Sequence, residues 1–499
     1  MNDTIMKEKT FKYINACIIA VGFYFLFIGL LSHSLVDFDL WGYLAFGRVF
    51  WENGYFPYQD VFAYTPTKPV WVYHEWLTGV ILYPLLKYLG PAGIQLLRYT
   101  LIVLTIYIMY RTALQRGATP VFAFLCISLS LMLMRWGYAP VMRAQIFTYL
   151  FFTLSIYLIE IARKDERWFF LLGIIPVQLL WCNLHGGFVA GLGLIALYAL
   201  GEGLSGKKFM PFIFIFVAAV LATLVNPYGI DYWRYIIKAV TMPRPEIWEW
   251  LSVFDAWKIE FMREPIIIFG ALSVACLSSF LFRGKRYLTE TIVIATAIFM
   301  GVKHVRHVVF LGVVFAVFMP GALSGMREFL KSRLVLQRIA WLTPILLIVF
   351  YLSANSLVKK TAFLDVLPTF SLSAPSNVFP TGALKWLDEN SFEGNIAPSF
   401  PWGEYLIWSC YPRCKVAMDG RYETVYPEHV QKEYFDFLHG GKDWRIFLRK
   451  YPHDAFLLPA KTKIHSLMIE EQAWKTVYSD DLCVLFAKKD YKKVKPQNK

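Results

Sequence analysis

Charge is scarce in this sequence. Asp, Glu, Lys and Arg make up only 17% of the 499 residues, against about 25% in an ordinary soluble domain. Hydrophobic residues reach 57%, and no soluble interior holds that share without exposing large apolar patches. A soluble enzyme and a disordered chain are therefore excluded. Cysteine is also sparse, with seven residues and no zinc-ligand spacing. Cys17, Cys126, Cys182 and Cys276 lie inside apolar runs and read as buried thiols. Only Cys410 and Cys414 are close together; their four-residue separation fits a disulfide or two free thiols. No repeat of 20–50 residues is present, and no inverted repeat of the transporter kind.

What remains is a polytopic α-helical membrane protein. Apolar runs able to cross about 30 Å of hydrocarbon recur through residues 1–357. The expected spans are 14–35, 92–110, 119–134, 145–162, 168–184, 187–204, 209–225, 265–282, 288–302, 307–323 and 340–357, about eleven in all. The net charge is +14, but the surplus lies with this hydrophobic part, so membrane topology explains it and no nucleic-acid partner is expected. With Lys7, Lys9 and Lys12 in the cytoplasm, alternation puts Arg111–Arg116, Arg163–Arg167, Lys207-Lys208, Arg283–Arg286 and Arg327–Arg338 inside as well. This holds only if residues 76–90, broken by Pro84 and Lys87, do not cross; they are expected to form a helix on the outer face. The first apolar run lacks a small-residue cleavage site and reads as an anchor. A long first outer loop, 36–91, a second, 226–264, and an outward C-terminal part follow, in the cytoplasmic membrane.

Residues 358–380 form a linker, Pro- and Ser-rich over Pro368–Pro380. In 381–499, strand-like runs at Asn395–Ala397, Lys415–Met418, Asp454–Pro459 and Asp481–Ala487 alternate with helix-like ones at Gly382–Asn390, Glu404–Trp408, Val430–Leu438 and Ile464–Gln472. That alternation predicts an extracytoplasmic α/β domain, with a frayed basic tail from Lys488.

Chemistry-bearing residues gather on the outer side. Asp37 and Asp39, in Val36-Asp37-Phe38-Asp39-Leu40-Trp41, follow the first span, and residues two apart in an extended segment face one way. They read as a general base, as ligands of Mg²⁺ or Mn²⁺, or as a solvent-facing cap. His74 and Glu75, in Trp71-Val72-Tyr73-His74-Glu75-Trp76, either cap the surface helix or point into a cleft. His185, in Asn183-Leu184-His185-Gly186-Gly187, sits in a turn between spans. Lys303, His304, Arg306 and His307 make a dense cationic knot where outer positive charge is otherwise thin, and Arg143 is a single cation at the same face. Such cations bind phosphate, Arg bidentately. Arg421, in Asp419-Gly420-Arg421, reads as a local ion pair or a further binding group.

This combination resembles the GT-C glycosyltransferases, which include protein O-mannosyltransferases, lipid A aminoarabinose transferases and oligosaccharyltransferase catalytic subunits. Asp37-Phe38-Asp39-Leu40-Trp41, Gly54-x-x-Pro57-x-x-Asp60, His74-Glu75-Trp76, Asn183-Leu184-His185-Gly186-Gly187 and Asp419-Gly420-Arg421 look like a set of bacterial GT-C-like membrane proteins. The resemblance covers the whole chain. It implies inverting transfer of a sugar from a polyprenyl-phosphate donor to a glycan, lipid or protein acceptor. Asp39 would be the base, Asp37 its partner, and Lys303, Arg306 and Arg143 the phosphate cations. No second acidic metal motif is found in 135–144, and Trp402-Gly403-Glu404-Tyr405 only loosely echoes the oligosaccharyltransferase acceptor signature. Two other classes stay open: a transporter or flippase for a lipid-linked or anionic solute, and a non-catalytic scaffold of a glycan-assembly complex.

Overall fold

The computed structural model describes residues 31–138, 141–244, 246–280, 287–330 and 369–491, without the side chains of Trp136 and 326–330. The expected first span up to residue 30, the expected last span 340–357, the charged stretches at 283–286 and 331–338, linker residues 358–368 and the tail beyond Tyr491 lie outside the described residues.

Helices dominate residues 39–330. Among the described residues four are long and apolar enough to cross a membrane: Trp76–Gln115, Gln145–Lys164, Glu260–Phe280 and Val305–Gly325. Four more apolar helical stretches are shorter: Pro120–Arg135, Trp168–Leu184, Phe188–Leu204 and Met210–Ala222. Large apolar side chains point outward along these helices, including Val103, Phe214, Val217, Ile267 and Val274. In water such a surface is unfavourable; against hydrocarbon it is the stable arrangement, because helices satisfy their own backbone polar groups. This is a membrane protein.

The surface helix expected over 76–90 is helical and runs into the next span. The two segments meet at Gly90, whose φ of 62° and ψ of −161° break the helix just before Pro91. Only glycine takes that conformation cheaply, and proline cannot continue the hydrogen-bond ladder behind it.

The C-terminal part is a five-stranded sheet in the order β2-β1-β3-β5-β4. The strands are β1 Gly394–Pro398, β2 Cys414–Val416, β3 Ala455–Pro459, β4 Trp474–Ser479 and β5 Cys483–Lys488. β1 is parallel to β2 and β3, while β5 is antiparallel to β3 and β4. Ile396, Ala397, Val416 and the fully buried Ala455–Leu458 run form its core.

This part is built into the first loop. Val416 N–H donates to the Phe62 carbonyl at 2.9 Å, and Tyr64 N–H to the Val416 carbonyl at 3.1 Å. On the other side, Leu35–Asp37 lies extended between Val141 and Ser373. Buried Arg98 holds that junction from below, donating to the Tyr138 carbonyl at 2.7 Å, beside Gln95, which donates to the Ser371 carbonyl at 2.9 Å. A cation buried this deeply is sustained by such carbonyl acceptors.

Candidate functional site

The junction brings residues from six separate stretches, within 37–75, 143–148, 185–187, 244–250, 303–307 and 404–423, to one end of the helices. Asp37 ends the extended segment and Asp39 opens helix Asp39–Asn53. Asp37 Oδ1 accepts the Asp39 N–H at 3.0 Å. Arg143 spans both carboxylates, with Nε 3.3 Å from Asp37 Oδ1 and Nη2 3.1 Å from Asp39 Oδ2, and its Nη1 pairs with Glu249. Arg143 is thus paired with three carboxylates. Burial pushes the Asp37 carboxyl up to about 7 against the pull of Arg143. Burial also raises Glu249, but Arg143 and Arg306 outweigh it and hold that acid below its ordinary range.

Asp39 is the more open member, with 36% of its side chain exposed. A second acid approaches from the C-terminal part. Glu404, in helix Gly403–Cys410, is buried, and its Oε2 accepts the Gly42 N–H at 3.1 Å. Burial, then the charges of Asp39 and Asp419, push this carboxyl well above the usual range.

Glu75 stands between two histidines. Its Oε1 lies 3.7 Å from His74 Nε2 and 3.5 Å from His185 Nε2. The Gly187 N–H donates to His185 Nδ1 at 2.9 Å, so the ring proton sits on Nε2 and faces Glu75. Thr148 Oγ1, 2.7 Å from the same Nδ1, completes the mount and itself accepts the Trp181 indole N–H at 2.8 Å. A Cβ on Gly187 would fall 2.4 Å from that hydroxyl, which explains the glycine. Burial drives Glu75 up to about 8 and His74 down to about 4, and holds His185 well below its ordinary value. Burial thus favours the uncharged form of all three.

Two further cations share one aromatic support. The Arg244 and Arg306 guanidiniums stack on Trp250 at 4.3 and 4.6 Å from its ring centroid. Arg244 pairs with Glu423 at 2.5 Å, and Tyr235 joins Glu423 to His74 with two contacts of 3.3 Å. Arg306 has no carboxylate within 4 Å among the described residues. Glu249 and Arg143 are within its electrostatic reach.

The sequence-predicted residues therefore separate. Asp37, Asp39, His74, Glu75, Arg143, His185 and Arg306 come together. Lys303 is exposed beside them. His304 spends its Nδ1–H on the Trp250 carbonyl at 2.6 Å, and His307 packs on the same ring, so both support the aromatic platform beneath Arg306. Arg421 is likewise closed to a ligand. Its side chain is 1% exposed and lies between the Phe62 and Trp71 rings. Its N–H groups go to Asp419, at 2.8 and 2.6 Å, and to Asp60. It clamps the C-terminal part to the first loop. Cys410 and Cys414 are buried free thiols. Sequence reasoning singles out none of Glu249, Arg244 and Trp250, whose only signal is acids and a cation interleaved with tryptophan in Arg244–Trp250; Glu404 and Glu423 stand in the aromatic-acid runs Trp402–Tyr405 and Asp419–Glu423 without an assigned role.

Mg²⁺ or Mn²⁺ between Asp37 and Asp39 does not fit this arrangement, because the Arg143 guanidinium already bridges them. Among the described residues no group of three or more His, Cys, Asp or Glu side chains is gathered for a metal.

No family model matches the chain, and no curated protein does. Solved structures do. An oligosaccharyltransferase of Archaeoglobus fulgidus, tethered to an acceptor peptide, aligns with a TM-score of 0.54 over 90% of this chain and 69% of its own, at 12% identity. Its complex with Zn and sulfate gives 0.55 over 94% and 73%, also at 12% identity. The chain has a GT-C-like fold. At these identities the likeness is one of fold. ArnT from Cupriavidus metallidurans, bound to undecaprenyl phosphate, aligns with 95% of this chain and 97% of its own at 14% identity and a TM-score of 0.49. In this GT-C-like fold the cluster of acids and cations lies where the first loop, the helix ends and the sheet-bearing part meet.

Proposed function

We propose that the chain is a glycosyltransferase that moves a sugar from a polyprenyl-phosphate-linked donor to a hydroxyl-bearing glycan, lipid or protein acceptor, with inversion, at the outer face of the cytoplasmic membrane. The observation that carries this reading is a half-open carboxylate, Asp39, and a cation lacking an acidic partner among the described residues, Arg306, both within electrostatic reach of Glu75. The fold shared with an oligosaccharyltransferase supports it.

Asp39 takes the acceptor hydroxyl proton as the oxygen attacks the anomeric carbon, a role contributing roughly 10²–10⁴-fold. Arg143 fixes its orientation and Asp37 supports Arg143. The bond from sugar to phosphate breaks, and the phosphate leaves with added negative charge. Arg306, held in place by Trp250, stabilises that charge, with Lys303 at the rim. Part-buried Glu75 and His74 and buried His185 stand beside Asp39 and Arg306. No step passes through a metal.

A panel of polyprenyl-phosphate sugars tests the reading by thermal stabilisation of the purified protein. One carrier is expected to stabilise the wild type and not Arg306→Ala. Equal stabilisation of both proteins, or of neither by any carrier, contradicts the assignment.

A further inference from the structure

At the opposite ends of the same helices lies a second, unrelated constellation. Helix Trp76–Gln115 ends there, Gln145–Lys164 ends there, and Leu288–Lys303 begins there. A cavity of about 570 Å³ opens between them. Its floor holds three buried carboxylates, Glu160, Glu202 and Glu290, each with about 5–6% of the side chain exposed. Two guanidiniums lie among them: Arg163 is 2.7 Å from Glu160, 2.6 Å from Glu202 and 3.4 Å from Glu290, while Arg116 is 2.9 Å from Glu290 and pairs with Glu160.

Among the described residues these three carboxylates and two guanidiniums leave one surplus negative charge. The nearest further cation among the described residues is Lys207, 3.9 Å from Glu202. One floor atom, Glu290 Oε2, is buried with no hydrogen-bond partner. Leaving a carboxylate oxygen unsatisfied is costly and marks a position that a donor would fill. The rim has the opposite sign: Lys164, Lys207 and Lys208 line it with a single acid, Glu166, which is paired with Lys208. Exposed Phe169, Leu172 and Phe209 lie in the adjoining segments, as expected at a lipid boundary.

We propose that this cavity binds a phospholipid headgroup bearing both a primary ammonium and a phosphate, with the ammonium on Glu290 and Glu202 and the phosphate on Lys207 and Lys164. A trimethylated ammonium has no N–H to give Glu290, and a glycerol headgroup has no positive charge for the floor. The site is separate from the proposed transfer chemistry.

Native mass spectrometry of the delipidated protein with phosphatidylethanolamine, phosphatidylcholine and phosphatidylglycerol of matched acyl chains tests this. The ethanolamine lipid is expected to be retained about tenfold more than either other lipid. Glu290→Gln should abolish that preference. Because Glu290 is tied to two arginines and its variant is at risk of misfolding, the rim double variant Lys164→Gln/Lys207→Gln is a second arm, expected to weaken retention of the ethanolamine lipid about tenfold. Soluble phosphoethanolamine separates headgroup from lipid; it is expected to displace the lipid poorly. Equal retention of the three lipids, preference for the glycerol lipid, an unaffected rim variant, or phosphoethanolamine binding as tightly as the lipid would overturn the proposal.

Discussion

Gly42 and Glu404 are 362 residues apart in sequence, and the Gly42 N–H donates to Glu404 Oε2 at 3.1 Å. A Cβ on Gly42 would sit 2.3 Å from that oxygen, so the absence of a side chain on the first-loop helix makes room for an acid delivered by the C-terminal part. The same carboxyl reaches over Gly420, where an added Cβ would lie 2.8 Å from Glu404 Oε1 and 3.7 Å from Asp39 Oδ1. The seating of the C-terminal part and the surroundings of Asp39 are thus one structural fact.

Gly42→Ala should expel the Glu404 carboxyl and lower stability by about 1–3 kcal/mol, the usual cost of overpacking. Gly193→Ala is the control, since nothing lies within 4 Å of the added atom. That change should be neutral or mildly stabilising in helix Phe188–Leu204. Thermal midpoints of the two variants in one detergent decide the point, and equal midpoints would contradict the close approach.

Arg421→Lys should be strongly destabilising despite conserving charge. An ammonium cannot reproduce three directed guanidinium contacts to Asp419 and Asp60 or stack between two rings. Leaving buried carboxylates without their partner costs about 3–5 kcal/mol. Limited proteolysis should then cut between the first loop and the sheet-bearing part earlier than in the wild type.

The pH dependence of stability has a definite sign. Glu75 and Asp37 have folded-state pKa values raised to about 8 and about 7, so the folded protein binds more protons than the unfolded chain and stability falls as pH rises through that range. His74, lowered to about 4, acts oppositely and only below its ordinary value near 6.5. Between pH 7 and 8 Glu75 dominates among these three, at up to about 1.4 kcal/mol per pH unit. Thermal midpoints should decline across that window in the wild type and less steeply in Glu75→Gln.

Much of this was legible in the sequence, for a physical reason. Asp37, Asp39, His74, Glu75 and His185 stand out because polar groups in apolar surroundings are costly, and the alternation of runs in the C-terminal part marks four of its five strands. β4 escaped because Trp474–Ser479 alternates no clear buried face. Partners escaped more generally. Nothing local to Arg421 shows that Asp60, 361 residues earlier, completes its ion pair. Arg143 likewise reads as a free cation until Asp37, Asp39 and Glu249 are seen around it. The packing of His304 and His307 on Trp250 is equally invisible in the sequence.

The most direct test of the account is sugar transfer by Asp39→Asn in reconstituted membranes, using the polyprenyl-phosphate sugar that stabilises the wild type. The variant should still bind this carrier while transfer falls at least about 100-fold, as expected for loss of a general base. Full transfer activity in Asp39→Asn would contradict it.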